Sequence, residues 1–170
     1  MHVPRELEPD NPLWRYALAV WKNPDVQRTC LGLQDEGWSV TRLILAGWLA
    51  QQNRRYTEAE DATVSEWRDR VTGPLRAVRR SLPKAPETVG GLRQSIAGLE
   101  LQAEQLELAL VWRTQAHINQ TEADMHGRET LIKTNLVAAA PCTQQANEVS
   151  DILNALARSL ANLSEGDYQP

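Results

Sequence analysis

A chain of 170 residues is long enough to bury the core of one domain without disulfide or metal staples. Its apolar share of 42% and charged share of 24% are ordinary for a globular protein, and a net charge of −4 argues against a dedicated nucleic-acid binder. Two cysteines without a C-x-x-C pair predict reduced thiols, and no segment reaches the roughly 18 apolar residues of a membrane span. These features predict a cytoplasmic protein and exclude a membrane one.

Three helix starts are marked in the first third of the chain. The pairs Asn11–Pro12 and Asn23–Pro24 each place a capping side chain before a proline at the first helical position. Ser39 caps a third helix, which follows a stop at Gly37. A glycine inside that third helix, Gly47, costs about 1 kcal/mol relative to Ala. It indicates that another helix or an indole ring comes close at this point.

The next segment is less regular. Thr57 and Glu60 have capping-box spacing, which predicts the start of a fourth helix. The triplet Thr72-Gly73-Pro74 predicts a break, after which PLRAVRRSL forms a fifth helix. The stretch 83–91 contains prolines and two adjacent glycines, and it predicts a linker.

Two heptad patterns occupy the rest of the chain. Apolar residues alternately four and three positions apart form a seam along which helices pair. The first seam is Leu92, Ile96, Leu99, Ala103, Leu106 and Leu110, and the second is Val149, Leu153, Leu156, Leu160 and Leu163. Between them lies a modest helix over 128–140. We expect the long heptad-patterned helix to pair with the C-terminal helix, or with another copy of the chain.

The periodicity is helical throughout, so the predicted fold is an all-α bundle of about six to eight helices. We expect a single domain over 1–170. Within it, residues 12–82 form a Trp-rich N-terminal half and residues 92–165 a heptad-patterned C-terminal half.

The run WRYALAVWKNPDVQRTCLGLQDEGWSVTRLILAGWLA resembles a bacterial family of short, Trp-rich all-helical proteins known mainly as a domain of unknown function. The later runs RAVRRSL and GLELQAEQLEL are similar to the same family. The resemblance covers roughly residues 12–112. It implies a small helical cytosolic protein, and it implies no activity, cofactor or catalytic residue.

A polar corner between helices two and three is one candidate site. Gln34 and Asp35 end helix two, Trp38 follows the turn, and Trp48 lies on helix three. One interpretation makes the two polar residues anchors at a pocket mouth with Trp38 as its lid. The interpretation that we favour makes Gln34 a hydrogen-bonding partner for the free carbonyls at the helix end.

A basic segment is the second candidate. Its cations are Arg68, Arg76, Arg79, Arg80 and Lys84. Forked guanidinium donors suit phosphate or carboxylate, which would make this an anion-binding or partner-binding face. The interpretation that we favour is a solvated face paired with the acidic second half of the chain, because residues 85–170 hold 5 basic and 11 acidic groups.

Several carboxylates and a histidine have spacings that could hold a metal ion. Glu58 and Asp61 share a helix face, as do Glu100, Glu104 and Glu107, and paired acids can hold Mg²⁺. The three glutamates flank the first seam, however, where solvent-exposed charges are expected. Glu122 and His126, four residues apart, are typical of a surface pair. We therefore expect no metal and no cofactor.

The absence of hydrolase, P-loop and Rossmann motifs favours a non-enzymatic interaction protein, an adaptor or regulator acting through helical surfaces. Its partner would be another protein or a second copy. Two alternatives stay open. One is a small-molecule-binding or enzymatic bundle with a Trp-lined cavity. The other is an RNA- or ribosome-associated factor using the segment 68–84, with nucleic acid as the less favoured partner.

Overall fold

The structure, a computed structural model, describes residues 3–57, 60–85, 87–115, 127–163 and 166. Within these ranges the regular elements are helices and no strand occurs, which confirms the all-α prediction. The helices are α1 Pro12–Trp21, α2 Pro24–Asp35, α3 Val40–Gln51, α4 Ala62–Trp67, α5 Gly73–Ser81, α6 Glu87–Gln115, α7 Arg128–Ala138, α8 Thr143–Glu148 and α9 Ser150–Ala161. None of these described helices is both long and apolar enough to cross a membrane.

The chain forms two compact units. Unit one comprises residues 1–11 and 60–117, and unit two comprises residues 12–59 and 118–170. This division differs from the expected halves, because each unit joins segments that are distant in sequence. The predicted linker at 83–91 lies inside unit one, and α6 already begins at Glu87.

The predicted helix starts are present in unit two. α1 and α2 begin at Pro12 and Pro24. The side chain of Asn23 accepts hydrogen bonds from the backbone N–H groups of Asp25 and Val26 at 3.0 and 3.3 Å. Ser39 accepts from the backbone N–H of Arg42 at 3.4 Å. These caps satisfy donors that the first helical turn leaves unpaired.

The core of unit two is built around α3, whose residues are buried except for Arg42. α7 packs on both α3 and α9. The leucines of the second predicted seam that lie within α9 are buried: Leu153, Leu156 and Leu160. This seam is therefore a core element of unit two.

Gly47 has the close neighbours that its position predicted. A Cβ at this residue would lie 2.6 Å from the hydroxyl oxygen of Tyr16 and 3.1 Å from Cδ1 of Leu160. The expected approach of another helix is therefore present, and the ring that comes close is the phenol of Tyr16 on α1 instead of an indole. α9 comes close from the same side of α3 through Leu160.

The structure differs from the sequence predictions at the start of α4 and at the junction of α4 with α5. The N-cap of α4 is Asp61, which accepts from the backbone N–H of Thr63 at 2.8 Å, and the capping box of Thr57 and Glu60 is wrong. The predicted break at 72–74 is also wrong, because a π-helical turn, Arg68–Thr72, joins α4 to α5.

Pro74 explains why the chain uses a π turn there. Proline has no N–H to donate to the preceding turn, and its ring crowds the backbone in a regular α-helix. In the wider turn the N–H of Gly73 donates to the carbonyl of Arg68, five residues earlier. A Cβ on Gly73 would stand 3.0 Å from that oxygen, so the absence of a side chain suits the turn. The helix continues across the proline instead of ending.

α5 and α6 form an antiparallel helical hairpin in unit one, and α4 and the π turn pack on α6 as well. The N-terminal segment of the unit lies on α6, where the side chains of Gln105 and Arg113 donate to the carbonyls of Pro9 and Glu6. The neighbours of α6 in its own unit are thus α4 and α5. We expected its partner to be the C-terminal helix.

Candidate functional site

A buried network of ion pairs fills the interface between the α4–α5 helix and α6. Arg68, in the π turn, donates to both carboxylate oxygens of Glu60 at 2.6 Å and to Glu107 at 2.8 Å. Thr72 donates its hydroxyl to the other oxygen of Glu107 at 2.9 Å. Glu107 has no solvent exposure, yet both of its oxygens have partners. A carboxylate is stable in the protein interior only when its oxygens have such partners.

The network continues one turn further along the hairpin. Arg76 donates to Glu100 at 3.0 Å and to Glu104 at 2.6 Å. Arg79 also binds Glu100 with two hydrogen bonds. The indole N–H of Trp67 donates to the carbonyl of Ala103 at 3.0 Å, between the two groups of charges. Polar contacts therefore join the two helices along the whole interface.

The two glutamates bound by Arg76 have pKa values that are shifted in opposite directions. Burial opposes the ionisation of Glu100, but hydrogen bonds and positive charge from Arg79 and Arg76 outweigh it and hold its pKa below the ordinary value. For Glu104 burial dominates, and its pKa is raised. Arg76 offsets part of that rise, while the charges of Glu100 and Glu107 add to it. The network thus holds one carboxyl that ionises readily and one that resists ionisation.

This network changes the interpretation of the predicted basic face. Arg68, Arg76 and Arg79 bind glutamates of their own unit, with side chains that are 15%, 16% and 22% exposed. The side chains of Arg80 and Lys84 are exposed. Of the two interpretations, the structure fits pairing with acidic residues of the second half of the chain, with Glu60 as a further partner from the first half. The expectation that this face is solvated is wrong for these three arginines, because they are largely buried against α6. The expectation that Glu100, Glu104 and Glu107 are solvent-exposed is wrong, because they are the partners.

The first predicted seam is covered along only part of its length. Ala103 and Leu110 are buried, and Ile96 and Leu106 are half-buried. Leu92 and Leu99 are 56% and 51% exposed. The N-terminal half of the seam is exposed because the seam and the glutamates that bind the arginines lie on neighbouring faces of α6. The ion pairs therefore cover the face beside the seam and not the seam itself.

At the corner between α2 and α3, backbone groups complete the helix end. The N–H of Gly37, at a φ of +94°, donates to the carbonyl of Gln34 at 3.1 Å. The N–H of Trp38 donates to the carbonyl of Leu33, also at 3.1 Å. This pair of bonds is a Schellman motif, and it satisfies two of the carbonyls that the end of α2 leaves without a helical partner. Gln34, Trp38 and Trp48 are buried, while Asp35 is exposed.

A cavity of about 600 Å³ lies in unit two, away from these tryptophans. It lies within the usual size range of small-molecule sites. Its wall comprises Arg42, Tyr56, Thr134, Val137, Ala138, Ala140, Pro141, Cys142 and Thr143. Residues of α3, of the segment after it, of α7 and of the α7–α8 connection therefore meet at one place.

Asn135 positions one wall of this cavity. Its side-chain oxygen accepts from the backbone N–H of Tyr56 at 2.9 Å. Its amide nitrogen donates to the carbonyls of Ala46 and Arg54 at 3.1 and 2.9 Å. A single buried side chain thereby ties the segment after α3 to α3 and α7. Sequence analysis missed it, because an Asn within a modestly apolar helix gives no signal of such a role.

The two cysteines differ strongly in their surroundings. Both are free thiols. Cys30 on α2 is 2% exposed, and burial raises the pKa of its thiol to about 12. Cys142 lies at the edge of the cavity and is exposed. A thiol reagent should therefore modify Cys142 selectively in the folded protein.

Among the described residues, no group of three or more His, Cys, Asp or Glu is arranged to hold a metal ion. The three glutamates of α6 face guanidinium groups instead of a second acidic cluster. Glu58, Glu122 and His126 lie outside the described residues.

Comparison with known proteins gives a family without an assigned activity. No curated protein and no solved structure matches the chain. A family model described as a protein of unknown function (DUF2390) matches residues 12–111, the stretch from α1 into the last turns of α6. The chain belongs to this family.

Proposed function

We propose that the protein is a non-enzymatic cytosolic interaction protein, and that it associates through the N-terminal half of α6 with a second copy of itself. The observation that carries the proposal is the exposure of Leu92 and Leu99, both more than half open to solvent. These residues are seven positions apart, so they lie on one side of the helix.

The open leucines belong to a longer apolar stripe. Continuing the heptad pattern backwards adds Val89, which is half-buried, as is Ile96. The neighbouring face of α6 is already bound to α5 through Arg76 and Arg79. A helix held on one face with an uncovered apolar stripe beside it has the arrangement of a coiled-coil partner.

Charge favours a second copy as the occupant. On the side of the stripe away from α5, the flanking heptad positions are Thr88, Ser95 and Gln102, which are neutral. Two copies placed antiparallel would therefore bring no like charges together along that side. Heptad geometry then pairs Val89 of one copy with Leu99 of the other, and Leu92 with Ile96.

The size of the stripe sets the strength of the association. Residues 87–101 span about 22 Å of helix at 1.5 Å per residue. Such a contact is smaller than the roughly 800 Å² per partner of a standard stable interface. We therefore expect a dissociation constant in the micromolar range or weaker, which makes the association dependent on concentration.

The cytosolic location rests on the thiols. An exposed free cysteine such as Cys142 is typical of a reducing compartment, because oxidising compartments convert exposed thiols to disulfides.

The test is light scattering with in-line size exclusion on the full chain, across a tenfold concentration range that extends above about 100 μM, where a micromolar dimer is populated. Wild type should shift from monomer towards dimer with concentration. The double substitution Leu92→Glu and Leu99→Glu should hold it monomeric.

Leu101→Glu is the matched control. Leu101 is 53% exposed but lies on the opposite side of α6, so its substitution should leave the dimer intact. Wild type that stays monomeric at all concentrations contradicts self-association. A dimer that survives the double substitution contradicts the assigned surface.

A further inference from the structure

We propose that the cavity of unit two is a binding site for a small organic acid, a carboxylate with a compact apolar body. This site is separate from the association surface on α6, and neither proposal depends on the other.

Three of the described residues that line the cavity carry donor groups suited to a carboxylate. The guanidinium of Arg42 extends from the first turn of α3, Tyr56 brings a phenol, and Thr143 brings a hydroxyl at the start of α8. None of the described residues that line the cavity is acidic. A guanidinium fork binds carboxylate oxygens in pairs, and neighbouring hydroxyls add donors to the same oxygens.

Apolar groups form the rest of the wall. Val137, Ala138 and Pro141 face the same space as the donors. Val137 is 40% exposed, so α7 leaves an apolar side chain open at this place. A ligand that joins a carboxylate to an apolar body would satisfy both parts of the wall, whereas an inorganic ion would use only the donors.

The hydroxyl groups do not all contribute equally. Thr134 donates its own hydroxyl to the carbonyl of Thr130 at 2.9 Å, which commits its proton within α7. We assign Arg42, Tyr56 and Thr143 to the acid, because each of them carries a donor group and lines the cavity. The backbone N–H of Tyr56 donates to Asn135, which holds the chain that carries the phenol.

A cavity of this size suggests the scale of the ligand. About 600 Å³ holds more than acetate and suits a carboxylate attached to a ring or a short branched chain. Benzoate is a suitable probe, because it combines one carboxylate with one compact apolar ring. Benzamide has nearly the same shape and lacks the charge, and inorganic phosphate has charge without the apolar body.

Cys142 provides the readout. Its thiol is exposed at the cavity edge, whereas Cys30 is buried, so the rate of alkylation by a maleimide in the folded full chain reports the cavity alone. Bound benzoate should slow that rate by about fivefold at saturation, through occlusion and negative charge near the thiolate. The comparison is made at constant ionic strength, with Cys142→Ser to measure the background from Cys30.

Substitutions in the wall should weaken protection in a defined order. Arg42→Gln should raise the benzoate concentration for half protection by about ten- to a hundredfold, the usual loss for a hydrogen bond to a charged group. Tyr56→Phe keeps the ring and removes only the hydroxyl, so it tests the site even if Arg42→Gln disturbs folding. It should raise the same concentration by about three- to tenfold.

Arg158→Gln is the matched control. Arg158 is an exposed arginine of the same unit, on α9, and it does not line the cavity. Its substitution should leave protection unchanged. Each variant is scored as the ratio of its rates with and without probe, because a substitution near Cys142 can also change the basal rate.

The outcomes separate clearly. Protection by benzoate that benzamide fails to reproduce, and that weakens in Arg42→Gln and Tyr56→Phe, supports the proposal. Equal protection by benzamide would overturn the role of the carboxylate. Protection by phosphate without protection by benzoate would overturn the organic acid. Failure of benzoate at concentrations of about 50 mM would overturn the site, since even millimolar binding would be visible there.

Discussion

Unit one and unit two hold their helices together by different chemistry. In unit two, α9 contributes Leu153, Leu156 and Leu160 to the core, with exposures of 0%, 2% and 3%. In unit one, the corresponding contact between the α4–α5 helix and α6 includes a network of buried guanidinium and carboxylate groups. Arg68, which binds two glutamates at once, is the centre of that contact.

The difference matters because apolar contacts mainly supply stability, whereas buried ion pairs mainly determine how the helices are aligned. Apolar burial contributes free energy roughly in proportion to area and tolerates small shifts of register. A buried ion pair contributes little net stability, since desolvation offsets the attraction, but removing one partner leaves a charge without compensation. We infer that the network of unit one fixes the alignment of the two helices, with Glu107 receiving bonds from successive turns through Arg68 and Thr72.

The largest effect is expected from Arg68→Met. It leaves the carboxylates of Glu60 and Glu107 in a largely dry interface, which should lower the free energy of unfolding by about 3–5 kcal/mol. Urea unfolding measures the change, and hydrogen exchange in peptides from 62–81 assigns it to unit one. Arg70→Met is the control, because the pair of Arg70 with Glu66 is exposed and its loss should change the free energy of unfolding far less than Arg68→Met does. Equal costs for the two substitutions would contradict a structural role of the network.

The apolar counterpart is Leu153→Ala in α9. Leu153 is fully buried, so the substitution should cost about 2–5 kcal/mol through lost burial and the cavity left behind. Urea unfolding with hydrogen exchange in peptides from 128–161 measures it. The adjacent Ile152 is 46% exposed, and Ile152→Ala should cost less than about 0.5 kcal/mol. If both cost the same, the second heptad seam is not the buried face of α9.

These two contacts also show what the sequence could predict. The seam of α9 was found because an apolar core leaves a periodicity of alternating four and three residues within one helix. The caps at Asn23 and Ser39 were found because capping is local, within three residues. Such signals depend only on neighbours in the chain. They are not sufficient everywhere, because the capping-box spacing of Thr57 and Glu60 is equally local and Asp61 caps α4 instead.

The network of unit one leaves no signal of that kind. Arg68 and Glu107 are 39 residues apart, and along α6 the glutamates have the spacing of an ordinary solvated face. The sequence predicts a break at Pro74 because proline cannot continue a regular α-helix, and the π turn that accommodates it has no periodic pattern of its own. The cavity at Arg42 is missed because it depends on contacts between distant parts of the chain. Its wall brings together residues from three separate parts of the chain.

Two glutamates of the network should respond oppositely to pH. The lowered pKa of Glu100 means that its contribution to stability is present above the ordinary value near 4.5 and is lost as the pH falls towards its folded pKa. The raised pKa of Glu104 means that ionisation opposes folding. Its penalty is absent in acid, and it grows as the pH rises from about 4.5 through the higher folded pKa.

Glu100→Gln and Glu104→Gln make this difference measurable by urea unfolding between pH 3 and pH 7. The stability difference between wild type and Glu100→Gln should widen in favour of wild type as the pH rises towards 4.5 and then level off. For Glu104→Gln the difference should move in favour of the variant, and it should do so above 4.5. Parallel pH profiles for the two variants would show that Arg76 does not distinguish its two partners.

The smallest effects are expected when one glycine of each unit is replaced by alanine. Gly98 lies in the interior of α6, and a Cβ there would meet no atom within 4 Å, so Gly98→Ala should raise the free energy of unfolding by about 0.5–1 kcal/mol through helix propensity alone. Gly47→Ala should do the reverse, since its Cβ would press on the hydroxyl of Tyr16, which is buried in the core of unit two. Thermal unfolding of both variants measures the two signs. A loss of stability in Gly98→Ala would contradict the open space around Gly98 that the structure shows.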